Sequence, residues 1–203
     1  MDIKKILPSF SYLFHPIFIS FYGVLLYLWL SKTSLTTSLS LIILIQVTIL
    51  TILLPLSLYY LMKAMGYIKS FTEATINERK IPILLQGIFL LVLIKFSGFI
   101  SEIPALYFFF IGGLISSSVA FIFTFFKFKV SLHMIGICSL LAFLISLGVY
   151  LNLFVLPLIA LNTIIVGCVA SSRLYMKSHT VEELIAGTIM GLFSQILVWQ
   201  FYL

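Results

Sequence analysis

Long apolar runs separated by short polar connectors organise this chain. They fall at about 12–31, 39–62, 81–99, 105–126, 133–151, 153–171 and 182–203. Each approaches the roughly 20 residues that an α-helix needs to cross a bilayer. In lipid every backbone group must find an internal partner, so such runs form helices. The predicted fold class is all-α: a polytopic membrane helical bundle of about six to seven transmembrane helices. No long linker, low-complexity tract or clear repeat divides it, so residues 1–203 are read as a single integral membrane domain.

Composition agrees. The chain is 62% hydrophobic and 9% charged, whereas soluble domains carry about a quarter charged residues. A water-facing surface cannot be built from this set. Cys138 and Cys168 lie inside apolar runs and read as packed thiols. The start, "MDIKKILPSF", lacks a small-residue cleavage site, so the first run is expected to stay as a span.

Charge adds sidedness. Seven spans place the connectors at about 63–80, 127–132 and 172–181 on one side, with the N-terminus. Lys4, Lys5, Lys63, Lys69, Arg79, Lys80, Lys127, Lys129, Arg173 and Lys177 share that side; only Lys32 and Lys95 fall elsewhere. Short loops rich in Lys and Arg stay in the cytoplasm, so this face is predicted to be cytoplasmic. The net charge of +6 does not indicate nucleic acid, because no soluble segment interleaves basic and aromatic residues. Basic loops at a membrane surface meet anionic headgroups or a phosphorylated ligand instead.

The same connectors carry the candidate chemistry. His15, in "LFHPIF", reads as an interfacial polar tip. His133 opens the fifth run, and His179 lies six residues after Arg173 in "SSRLYMKSHTVEELIAGTIMG". One imidazole can attack phosphorus while a second protonates the departing oxygen. Arginine grips phosphate oxygens with a planar fork. Glu183, four residues after His179, would share its helical face and could orient it. Together these make a metal-free phosphoryl-transfer set. Six acidic residues without paired aspartates argue against a magnesium-dependent prenyl transferase. A transporter would need ionisable residues lining a path mid-span, and the runs offer mainly Gln46, Gln86, Lys95, Ser116 to Ser118 and Gln195.

"SRLYMKSHTVEE" resembles the third signature of the type 2 phosphatidic acid phosphatase superfamily, the lipid phosphate phosphatases. That signature runs Ser-Arg, five residues, His, three residues, Asp. Ser172, Arg173 and His179 match it, and Glu183 stands at the aspartate position. "VSLH" supplies Ser131 and His133 of the second signature without its proline and glycine, and is similar to a divergent Lys-Ile-Ser-Ala-His form. "NERKIPIL" supplies Arg79, Lys80 and Pro82 of the first, with Thr72 where the family has lysine. The motif-bearing part covers about 76–203; the earlier residues match nothing beyond being spans.

The resemblance implies the roles. His179 becomes the nucleophile, Glu183 its orienting carboxylate and His133 the proton donor. Arg173 clamps phosphate, helped by Arg79 or Lys80, Lys129, and backbone amides near Ser131; Ser172 belongs to the same signature. It implies no metal and no cofactor. It also implies a hydrolase of a bacterial inner membrane, with a membrane lipid phosphate or isoprenoid (di)phosphate as substrate. The degraded first and second signatures keep open a non-catalytic relative that binds a lipid phosphate or serves as a scaffold.

Overall fold

The computed structural model describes residues 3–31, 35–68, 75–98, 100 and 102–202. Lys32, Lys69 and Thr72 lie outside them. Among the described residues all regular structure is helical: α1 (Ile3–Leu13), α2 (Pro16–Leu30), α3 (Thr37–Thr48), α4 (Leu54–Ala64), α5 (Ile76–Phe96), α6 (Pro104–Phe125), α7 (Leu132–Tyr150), α8 (Leu156–Tyr175) and α9 (Val181–Trp199). The all-α polytopic bundle is therefore present, and the chain reads as a multi-pass membrane protein.

Four differences from the sequence pattern have physical causes. The first run is not one straight helix: α1 and α2 meet at 68°. Pro16 has no N–H and disfavours helical backbone at the residue before it, and His15 accordingly sits at φ −64°, ψ 140°. The second run is continuous from Thr37 to Ala64, but residues Ile49–Leu53 widen into a π-helical turn. That turn lies just ahead of Pro55, whose missing N–H would leave a gap in a regular helix. Third, α8 continues through Tyr175, so Ser172 and Arg173 belong to a helix, not to a connector.

The fourth difference is the span count. Among the described residues, five helices are long and apolar enough to cross a bilayer alone, and there are six if the bent α1–α2 pair is one span. α5 does not qualify on its own. Glu78, Arg79 and Lys80 occupy its first turns and Lys95 its last, which leaves an apolar stretch of about 21 Å at 1.5 Å per residue.

α7 is the central helix, buried along most of its length. Its partner α9 approaches through Gly187 and Gly191. A Cβ on Gly187 would stand 2.7 Å from the Ser131 carbonyl oxygen, and one on Gly191 would overlap the Ile135 carbonyl. Small residues at this spacing let two helix backbones touch. At one end of the bundle an aromatic group closes the core: Tyr202 lies 4.8 Å from Phe108 and 5.1 Å from Tyr150, and Trp199 packs beside them. The opposite end, where α4, α6 and α8 finish and α5, α7 and α9 begin, holds most of the described charged residues, Lys95 and Glu102 excepted. There α6 and α8 end in the same hydrogen-bonded cap, with Phe128 N–H on Phe123 O and Ser178 N–H on Arg173 O. The residues that turn the chain are Lys127 (φ 56°) and Lys177 (φ 51°), in the left-handed region glycine usually occupies.

Candidate active site

The site begins with two helix starts. Thr180 caps α9: its hydroxyl accepts from the Glu183 N–H, and the Glu183 carboxylate accepts from the Thr180 N–H at 3.3 Å. This capping box holds Glu183 Oε2 where it also takes the His179 Nδ1–H, at 2.7 Å. The carboxylate fixes the tautomer, which leaves the lone pair on His179 Nε2. Burial is the first cause, and the charges of Arg79, Arg173 and Lys129 the next, that hold the His179 imidazole down at about 3, against an opposing backbone contact to Lys129. His179 is thus neutral at any physiological pH, the form that can attack.

The second start is α7. Ser131 is its cap, accepting from Met134 N–H at 3.5 Å, and its own N–H donates to the Glu183 carbonyl at 3.2 Å. Ser131 is fully buried. Its hydroxyl therefore caps α7 and its N–H ties α7 to α9, so of the backbone amides expected to bind phosphate near Ser131, its own is already taken. Ser172 corrects in the same way. It is fully buried, and its hydroxyl pairs with that of Ser11 at 2.6 Å, pinning α1 onto α8.

A cavity of about 540 Å³ opens beside these helix starts. His133, Arg173, Arg79, Glu78 and His15 line it near the charged helix ends; Leu90, Phe109 and Phe110 line it farther in, with Ser139 and Gln195 among them. Arg173 is 6% exposed, and its Nε has no hydrogen-bond partner. Its one side-chain polar contact among the described residues is Nη1 to the Met176 sulfur at 4.0 Å. A buried guanidinium without a carboxylate is costly. A ligand anion would offset that cost.

The predicted residues do not all converge. His179 and Glu183 stand beside the cavity and do not line it; Arg79 and Arg173, which do line it, act electrostatically on His179. Lys129 joins that field from the α6–α7 connector. Lys80 leaves the site: its ammonium lies 5.2 Å from the Phe125 ring centroid. His133 donates its Nε2–H to the Ser11 carbonyl at 3.1 Å, so its proton is committed to α1.

Sequence reasoning missed the contribution of the N-terminal helices. Ser11 and His15 come from residues that match no signature, yet both touch site residues. His15 is exposed, as an interfacial tip would be, and also makes structural contacts. Its ring lies edge-on to His133, 5.1 Å between centroids, and its Nδ1 caps α2 by accepting from Ile17 N–H at 3.3 Å. The available signal was the His-Pro pair inside an apolar run, which marks a helix start.

No family model, curated protein or solved structure matches this chain. What connects it to a chemistry is the arrangement of its own residues.

Proposed function

We propose that this chain is an integral membrane phosphatase that hydrolyses a lipid phosphate or isoprenoid (di)phosphate through a phosphohistidine, without a metal. The observation that carries this reading is the His179–Glu183 pair held at 2.7 Å beside Arg173 and Arg79 at the polar end of an apolar cavity. A ligand with an anionic head and a hydrocarbon tail matches both parts of that cavity.

In this mechanism the His179 Nε2 lone pair attacks phosphorus and the bond from phosphorus to the lipid oxygen breaks. Arg173 and Arg79 hold the phosphoryl oxygens as charge spreads onto them. The leaving oxygen takes a proton. Water then attacks the phosphohistidine, releasing inorganic phosphate and restoring the neutral ring. Glu183 stabilises the charged imidazole between the two steps. His133 can protonate the leaving group only as an imidazolium: it must first take up a proton on Nδ1, then give its Nε2–H, released from the Ser11 carbonyl, to the lipid oxygen and return to the neutral ring. The basic loops favour an orientation with this face toward the cytoplasm, and the membrane proposed is a bacterial inner membrane.

Phosphate release by the purified protein from phosphatidate and from isoprenyl mono- and diphosphates tests the proposal. His179→Ala is expected to abolish turnover; equal rates in His179→Ala and the parent would rule it out. A second reading is favoured by the cavity lining, which includes Arg173 and Arg79 but not His179. It makes the chain a lipid-phosphate-binding or scaffold protein, for which His179→Ala leaves lipid phosphate affinity intact and no substrate is turned over.

A further inference from the structure

We propose that His15, at the break between α1 and α2, is a third site histidine that donates its Nε2–H to an oxygen of the bound phosphoryl group. The proposal rests on the reading of the cavity's polar end as an anion site.

Tautomers carry the argument. Each of the three rings has one nitrogen held by a partner that leaves no choice. His179 Nδ1 faces a carboxylate oxygen, so the proton is on Nδ1. His133 Nε2 faces the Ser11 carbonyl, which only accepts, so the proton is on Nε2 and is used there. His15 Nδ1 faces the Ile17 N–H, which only donates, so the proton is on Nε2. Among the described residues, His15 is the one ring of the three whose N–H has no acceptor.

That N–H belongs to a ring lining the cavity that Arg173 also lines. The ring is held on two sides, by the cap bond to Ile17 and by the edge-on contact with His133. The chain break that places it is enforced by Pro16. A side chain fixed this way is preorganised, so little rotamer freedom is lost when an anion arrives. A neutral N–H beside a guanidinium gives a directed hydrogen bond without adding another buried positive charge. It also supplies what His133 lacks while its own proton rests on Ser11.

Hydrogen bonds to charged acceptors are lost at a cost of about 10- to 100-fold in affinity. The test measures binding of a non-hydrolysable alkylphosphonate, and of inorganic phosphate, to the full chain in detergent. His15→Asn keeps a good helix cap but is too short to present the distal N–H. Its phosphonate and phosphate affinities are both expected to fall by about 10- to 100-fold, with the thermal midpoint near that of the parent. His15→Gln places an amide N–H near the position of Nε2 and is expected to recover part of the loss. An alkyl alcohol of the same chain length should bind parent and His15→Asn alike; an equal loss for the alcohol would reduce His15 to a structural role and overturn the proposal. So would parent-like phosphonate affinity in folded His15→Asn, even if the parent hydrolyses lipid phosphates. A selective loss of phosphonate binding in a chain that turns nothing over supports the His15 contact while the phosphatase reading fails. No phosphonate or phosphate binding by the parent overturns both.

Discussion

Gly187→Ala would test whether the α7–α9 contact sets the geometry of the site. The added Cβ would lie 2.7 Å from the Ser131 carbonyl oxygen and 3.0 Å from the Met134 Cβ. Ordinary contact begins at 3.4 Å, so the helices must part by about 0.7 Å. The obstructing atom is backbone, in the residue that caps α7 two positions before His133, and it cannot swing aside. Overpacking of this kind costs about 1–3 kcal/mol, and the better helix propensity of alanine returns up to about 1 kcal/mol. A net loss of about 1–2 kcal/mol corresponds to roughly 2–8 °C in the thermal midpoint for a chain of this size. The displacement also moves Glu183 and His179, on α9 and just before it, relative to Arg173 and His133. Misplacement by about 1 Å can cost on the order of 100-fold in rate, so turnover is expected to fall by about 10- to 100-fold. Gly167→Ala is the internal control, because a Cβ there meets nothing within 4 Å and alanine favours the helix. Thermal melts in one detergent and initial phosphate-release rates would be compared for the three proteins. A parent-like midpoint and rate in Gly187→Ala, or an equal loss in Gly167→Ala, would refute the reasoning.

Glu183→Gln keeps the reach of the capping box but not the charge that steadies a positive His179. It is expected to retain the parent's thermal midpoint and lose about 10²- to 10⁴-fold in turnover; a parent-like rate would remove the carboxylate from the mechanism. Because the folded His179 is held at about 3 and an unfolded histidine titrates near 6.5, the unfolded chain binds a proton between those values that the folded chain does not. Stability should therefore fall as pH drops from about 6.5 toward 3, and His179→Asn should show a shallower decline; identical slopes would contradict the assigned burial. Glu182 is exposed at the start of α9, so Glu182→Cys in a Cys138→Ser, Cys168→Ser background reports the orientation of the site face. A membrane-impermeant thiol reagent should label it only after cell lysis, and labelling of intact cells would reverse the assignment.

Some of this was legible because it depends on local spacing. An i, i+4 pair on a helix brings side chains together whatever surrounds it, so His179 and Glu183 were readable, as was the close face made by Gly187 and Gly191. Apolar length likewise revealed where helices run. Their ends were harder, because hydropathy reports contact with lipid and not the direction a side chain takes. Arg173 was assigned to a connector because it is charged, yet it lies in the last turn of α8 and turns inward to the cavity. Lys127 and Lys177 occupy left-handed positions that sequence reading reserves for glycine. The least legible part is what tertiary contact alone creates. Ser11 meets Ser172 across 161 positions of chain, and neither serine carries a mark of that pairing. Ser131 and Ser172 match signature positions that imply phosphate contacts, while the fold uses the Ser131 hydroxyl to cap α7 and the Ser172 hydroxyl to pin α1 onto α8.

This division of labour explains how so hydrophobic a chain can keep a polar site. A membrane helix satisfies its own backbone except at its ends, where the first N–H groups and last carbonyls need partners. The site is placed at those ends, and several of the groups there are answered by residues with a second task. Glu183 caps α9 and orients His179; Ser131 caps α7 and ties it to α9; His15 caps α2 and braces His133. Among the described residues, Arg173 is the one at this end that keeps a buried nitrogen without a partner; Asn162 Oδ1, Gln195 Oε1 and Trp199 Nε1 are the others in the bundle. The caps therefore meet part of the polar requirement at these helix ends, and the charged group left unmet there is positive, buried and in the lining of a largely apolar cavity. An anion carried on a hydrocarbon chain meets it without disturbing any of the caps.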